Sequence, residues 1–213
     1  MLKTILAYIS EIVSDYDSIP RERRGRLEEL AAYIKEKITG NSPVDLVFIC
    51  THNSRRSQLA QVWAHTATYH YRIPGVASFS GGIETTAFNP AAILALVRAG
   101  FRIEKRDDSA NPVFRIRFAE DEEPVTAFSK IFSDPVNPPG GFTAVMTCSD
   151  ADEACPVVPG AESRFSIPYE DPKVTDNTPE EKAKYDERCR QIATEMFYLF
   201  GQVNKLNNPI NST

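Results

Sequence analysis

The segment Val44-Asp45-Leu46-Val47-Phe48-Ile49-Cys50-Thr51-His52-Asn53-Ser54-Arg55-Arg56-Ser57 passes from an apolar run into a polar loop and then into a helical pattern. Its first half is rich in β-branched and aromatic residues and follows Pro43, which predicts a buried strand. From about residue 55 to 68, Leu59, Val62, Trp63 and Thr66 share one helical face. Cys50 therefore stands where the strand gives way to the loop, and Arg56 stands six residues on, at the helix start. A tight loop of this length turns its backbone N–H groups inward as an anion-binding nest, backed by the helix N-terminus. Thr51, His52, Asn53, Ser54, Arg55 and Arg56 form this candidate oxyanion cradle. The same partial positive charges favour a Cys50 thiolate. Arg56 can grip two oxygens of a tetrahedral oxyanion, and Ser57 can donate its hydroxyl to the sulfur. The alternative is an inert strand-end cysteine beside a surface arginine. The order of strand, loop and helix favours the site.

The rest of the 213 residues sets the frame. A hydrophobic content of 42% supports a substantial core, and a net charge of −5 argues against nucleic acid as the main partner. No apolar run is long enough to span a membrane. Glu11, Asp15 and Asp17 interrupt the N-terminus where a signal peptide would be apolar, so a cytoplasmic protein is expected. Four cysteines in such a compartment are catalytic, metal-bound or buried rather than structural disulfides.

Residues 1–42 read as a helical hairpin distinct from a catalytic domain at 43–213. Leu2, Ile5, Leu6, Ile9, Ile12, Val13 and Tyr16 form one stripe, and Leu27, Leu30, Ala31, Ile34 and Ile38 a second. Asp17-Ser18-Ile19-Pro20 lies between them, and Gly40-Asn41 closes the second helix. These stripes need cover, either from the main domain or from a second copy of the chain as a homodimer. The basic run Arg21-Glu22-Arg23-Arg24-Gly25-Arg26 reads as a solvated helix face.

Further strands are expected at 75–82, 143–148 and 163–168. A helix opens at Asn89-Pro90, and a last one runs from Thr178 to Leu199 or beyond. Alternation of strands and helices implies an α/β, doubly wound, four-stranded parallel sheet with helices on both faces. Ligands bind beyond the carboxyl ends of its strands, where Cys50 lies. Val113–Phe118 and Val125–Phe132 predict an inserted β-hairpin whose turn is the acidic Ala119-Glu120-Asp121-Glu122-Glu123-Pro124. A proline- and glycine-rich loop covers 134–141.

A second constellation is Cys148-Ser149-Asp150-Ala151-Asp152-Glu153-Ala154-Cys155-Pro156. Cys148 ends a strand at the same sheet edge as Cys50, and Cys155 follows in a polar loop. A metal site lacks further soft ligands nearby, since the three histidines all fall at 52–70. Thiol–disulfide exchange needs only two thiols that can approach and a third that can be attacked.

Taken together, Cys50–Ala60, Phe79-Ser80-Gly81-Gly82, Asn89-Pro90 and the Cys-x6-Cys-Pro element at 148–156 resemble the thioredoxin-coupled arsenate reductases, which share the low-molecular-weight tyrosine phosphatase fold. The resemblance covers roughly residues 43–200. It implies Cys50 as nucleophile, Asp171 in Tyr169-Glu170-Asp171-Pro172 as general acid, and a relay through Cys148 and Cys155 to a thioredoxin-like reductant. No organic cofactor or catalytic metal is implied. The phosphatases share Cys-x5-Arg-Ser but usually place proline where this chain has Gln58, and they lack the paired downstream cysteines. A phosphomonoester hydrolase working through a Cys50 phosphoenzyme is the competing expectation, and a non-catalytic oxyanion-binding module a third. His52 replaces a usual loop glycine, where a positive φ would strain it. Arg55 stands where some members carry an extra cysteine, and Gln61 where some carry a glutamate of a potassium site. Cys189 reads as packing, Trp63 as core, and His65 and His70 as surface residues.

Overall fold

A computed structural model of the chain describes residues 1–154 and 156–207, with the backbone alone at Ala154, Leu206 and Asn207. The elements run α1 (Lys3–Val13), α2 (Arg21–Thr39), β1 (Val44–Cys50), α3 (Arg56–Tyr71), β2 (Val76–Gly82), α4 (Pro90–Arg98) and β3 (Arg102–Lys105). They continue as β4 (Phe114–Arg117), β5 (Val125–Ala127), β6 (Phe142–Met146), α5 (Ser149–Ala154), β7 (Ala161–Ser166) and α6 (Glu181–Asn207). Short 3-10 turns lie at Tyr16–Ser18 and Pro172–Thr175.

β1 is buried along both faces, which is why it reads as a continuous apolar run and takes an inner place in the sheet. The four strands are parallel in the order β2-β1-β6-β7. Alternation along β1 sends Leu46 and Phe48 into a core shared with α2, α3, α4 and α6. Val47 and Ile49 enter a second cluster with Ala144, Met146, Cys148, Ala151 and Val158. One face is thus covered by the long helices, and the other by short α5 and by Phe132 of the loop after β5. The register pairs Cys50 with Gly82 and Ile49 with Met146, so three strand ends meet at one edge.

The inserted hairpin is present as β4 and β5, joined through the acidic turn. It gains a third antiparallel strand, β3, which pairs with β4 and was not anticipated. The residues of β3 are largely exposed, so they carry no apolar alternation to read.

The two N-terminal helices occur where expected, and α6 of the same chain is their main cover. Leu2, Ile5, Ile9, Ile12, Leu27, Leu30, Ala31 and Ile34 join the same core as Leu46 and Trp63. Leu6, placed in the first stripe from spacing, instead remains 41% exposed. The Leu2 N–H donates to the Phe118 carbonyl at 2.8 Å, which ties the start of α1 to the residue after β4. Trp63 lies at the centre of this core. It stacks on Tyr8 of α1 at 5.4 Å, meets Phe101 and Phe197 edge-on, and donates its indole N–H to Cys189 Sγ at 3.3 Å. Burial pushes the Cys189 thiol up to about 12, so it stays protonated and serves as packing. The basic run at 21–26 is only partly solvated: Arg23 turns inward and pairs with Glu195 of α6 at 2.7 Å. His65 is half-buried edge-on against Phe118 rather than free on the surface. Among the described residues no helix is long and apolar enough to cross a membrane.

Candidate active site

The loop from Cys50 to Arg55 is shaped through its carbonyls. Cys50 O accepts from Ile83 N–H at 3.3 Å, and Thr51 O from Glu84 N–H at 2.8 Å. His52 O accepts from Ser129 Oγ at 2.8 Å, and Asn53 O from Gln58 Nε2 at 3.0 Å. Ser54 O accepts from Asn89 N–H at 2.9 Å, and Arg55 O from Leu59 N–H at 3.0 Å. Every carbonyl of the loop is thus held by the surrounding framework. In a trans peptide the N–H points opposite to the C=O, so this arrangement turns the amides toward the loop centre. The positive φ expected at His52 falls instead at Asn53, at +46°. Asparagine tolerates this left-handed conformation better than most residues. Its buried side chain also braces the loop: Nδ2 donates to Ser57 Oγ at 2.8 Å, and Oδ1 accepts from Lys130 N–H at 3.0 Å.

Gly82 lies directly beneath. A Cβ there would come within 2.7 Å of Asn53 N and 2.8 Å of Thr51 O, so only glycine lets the strand end support the loop this closely. Cys50 Sγ and Ser57 Oγ are 3.0 Å apart. Arg56 is buried, and it donates through Nη1 to Tyr169 O at 3.0 Å and through Nη2 to Asp171 Oδ2 at 2.7 Å. Its Nε is buried with no partner among the described residues, leaving a donor for a ligand oxygen. The other Asp171 oxygen accepts from Lys173 N–H at 3.0 Å and caps the 3-10 turn. Cys50 thus touches Ser57, and Arg56, next to Ser57 in the chain, pairs with Asp171.

Arg55 and His52 behave differently from their neighbours. The Arg55 guanidinium leaves the loop to donate to Tyr185 OH at 2.6 Å and to Asp176 at 2.7 Å, so its side chain anchors α6 and only its backbone belongs to the cradle. The His52 ring is partly exposed, 3.5 Å from Glu84. Thr51 Oγ1 lies 3.5 Å from Cys148 Sγ, and Ser54 Oγ donates to Ala87 O at 2.6 Å.

Cys148 does not end a strand; it follows β6 by two residues and sits just before α5. The stretch after it, expected as a polar loop, is this short helix. The Ala151 N–H donates to Cys148 Sγ at 3.4 Å. α5 is latched to β7 by Asp152, which pairs with Arg164 and accepts from Ser166 Oγ at 2.6 Å. Cys50 and Cys148 are free thiols in the same apolar cluster. Cys155 lies outside the described residues.

Lys130 was not anticipated. Its ammonium is buried 3.5 Å from Ser80 Oγ and 4.8 Å from the Phe128 ring centre, and burial pushes it down to about 8. Gln61 accepts from Ser80 at 2.6 Å. A neutral amide already engaged, with a fixed ammonium beside it, does not fit a potassium ion at this place.

No family model matches the chain. The arsenate reductase of Bacillus subtilis (strain 168) is 28% identical over 160 residues, which is 75% of this chain and 96% of that protein. Arsenate reductase 2 of Staphylococcus saprophyticus is 31% identical over 130 residues, which is 60% of this chain and 77% of that protein. A solved low-molecular-weight phosphotyrosine phosphatase from Vibrio cholerae aligns at TM-score 0.49 and 12% identity, covering 78% of this chain and 99% of its own. Cys50 in contact with Ser57, Arg56 paired with Asp171, and 31% identity across three-quarters of a curated relative lead to one conclusion: the chain belongs to the arsenate reductase family.

Proposed function

We propose that this chain reduces arsenate to arsenite through Cys50, Cys148 and Cys155, with a thioredoxin-like dithiol protein as the final reductant. The observation that carries this is a second buried thiol, Cys148 Sγ, 3.5 Å from the hydroxyl of the residue after Cys50 and in the same apolar cluster as Cys50. Arsenate is held by the loop amides and Arg56. Cys50 Sγ displaces one arsenate oxygen, which leaves as water with a proton supplied by Asp171, and a sulfur–arsenic(V) bond forms. Ser57, itself held by Asn53, steadies the sulfur. The Cys148 thiolate then attacks Cys50 Sγ. A sulfur–sulfur bond forms, the sulfur–arsenic bond breaks, and its electron pair stays on arsenic, which departs as arsenite. Cys155 attacks Cys148 Sγ and frees Cys50. The resulting Cys148–Cys155 disulfide passes to the reductant once α5 releases the Asp152 latch.

The test is substitution of the two downstream thiols. Cys148→Ser should stop arsenate turnover while sparing any aryl-phosphate hydrolysis. Cys155→Ser should yield about one arsenite per enzyme and then stall as a Cys50–Cys148 disulfide, which mass spectrometry after thiol blocking locates. Sustained arsenate reduction with thioredoxin in both variants would refute the relay.

A phosphatase is the second reading, favoured by one observation: the Cys50–Ser57 contact and the Arg56–Asp171 pair both stand without any part taken by Cys148. Wild-type turnover of an aryl phosphate without reductant, set beside arsenate turnover with thioredoxin, separates the two.

A further inference from the structure

We propose that Arg23, on α2 and outside the stretch that resembles the arsenate reductases, is a positioning residue for the Asp171 carboxyl. The inference rests on the reading of Asp171 as the acid. Asp171 lies on a short segment, Pro168–Asp171, that leaves β7 and has little regular structure of its own. Such a segment needs tethers if a proton is to be delivered to one oxygen. Tyr169 N–H donates to Thr147 O at 3.0 Å, and Arg188 Nη2 reaches Glu170 at 3.1 Å.

The remaining tether comes from α2. Arg23 Nη1 donates to Pro168 O at 2.9 Å, and its guanidinium carbon lies 4.5 Å over the centre of the Tyr169 ring. Its Nε and Nη2 both donate to Glu195 Oε2, at 3.0 and 2.7 Å. Glu195 in turn accepts from Gln191 at 3.0 Å. The guanidinium is thus clamped on α6 by two bonds and spends a third donor and its flat face on Pro168 and Tyr169. A planar five-donor fork can do both at once, and an ammonium cannot. Tyr169 O then accepts from Arg56, which also holds Asp171. The chain of contacts runs Arg23, Tyr169, Arg56, Asp171, and links the N-terminal segment to the acid.

A structural role alone would lower stability and slow every step alike. A positioning role acts only where Asp171 acts, so the test is a double-mutant cycle. Reduced full-length protein is mixed with arsenate without reductant, and single-turnover arsenite release is timed for wild type, Arg23→Gln, Asp171→Asn and the pair. Arg23→Gln is expected to slow release about ten-fold when Asp171 is present, and less than about two-fold in the Asp171→Asn background. Arg23→Lys, which keeps the charge and one donor, should recover part of the rate. Equal slowing in both backgrounds, or no slowing in either, overturns the proposal and leaves the acid assignment standing. An Asp171→Asn enzyme as fast as wild type removes the acid assignment itself, and the proposal with it. Should Arg23→Gln fail to fold, Arg23→Lys is carried through the same cycle, and equal slowing there is again fatal.

Discussion

Replacing Lys130 by methionine should stabilise the protein at neutral pH. Lys130 is 4% exposed, and Asp134 is the charge that opposes the effect of burial. The fall from 10.5 to about 8 corresponds to roughly 3 kcal/mol at about 1.4 kcal/mol per unit. The folded state binds the proton more weakly than the unfolded chain. The penalty is therefore fully present below pH 8 and fades as pH rises through 10.5, so wild-type stability from this group climbs across that window. Methionine has a similar length and no charge, but it forfeits the contacts with Ser80 and Phe128, worth about 1 kcal/mol together. The expected net gain is about 2 kcal/mol at pH 7; it vanishes between about pH 9 and 10 and becomes a loss of about 1 kcal/mol above pH 10.5. Urea midpoints of both proteins at pH 7, 9 and 10.5 measure it. The Lys130 N–H to Asn53 bond is backbone and survives the change. A variant less stable than wild type at pH 7, or a gain that does not vary with pH, refutes the view of Lys130 as an under-compensated buried cation.

Cys50→Ser should abolish arsenate and aryl-phosphate turnover together while leaving the melting temperature within a few degrees; retained turnover of either substrate would show that the chemistry lies elsewhere. Gly82→Ala should lower turnover about a hundred-fold, because the added methyl meets Asn53 N and Thr51 O beneath the loop, and normal kinetics would show that the loop can yield. Deleting residues 1–42 removes Leu2, Ile5, Ile9, Ile12, Leu27, Leu30 and Ile34 from the shared core, each worth about 1.5–3 kcal/mol of burial. The truncated chain should therefore be molten or aggregated by near-UV circular dichroism and light scattering. A truncated protein that melts as the full chain does would mark the segment as dispensable.

The parallel sheet was legible because its inner strands are buried on both faces and appear as apolar runs such as Val44–Cys50. The strand–loop–helix turn that carries the candidate site was legible because Cys50, the polar loop and Arg56 are contiguous in the chain. What escaped reading has a physical cause in each case. β3 is exposed and short. α5 has six residues rich in carboxylates, which look like loop. Lys130 sits in Ala127-Phe128-Ser129-Lys130, where a charged residue implies solvent unless its long-range surroundings are known. Arg23 lies in a basic run whose period says nothing of Glu195, 172 residues away, which draws one of its arginines inward. Loop strain was expected at His52 because a family glycine is replaced there, but the carbonyl bonds to Ser129 and Gln58 put the turn at Asn53 instead.

The chain has a single tryptophan, and its position makes it an internal optical reporter. Trp63 lies between Tyr8 of α1 and the thiol of Cys189 on α6, so its emission depends on the docking of the first helix and on the integrity of the last. A sulfur 3.3 Å from the indole nitrogen is expected to quench that emission in the folded state. Stopped-flow fluorescence would thus time the arrival of the N-terminal helices on the folding sheet without any added label, and Cys189→Ala would supply the bright reference for the same trace.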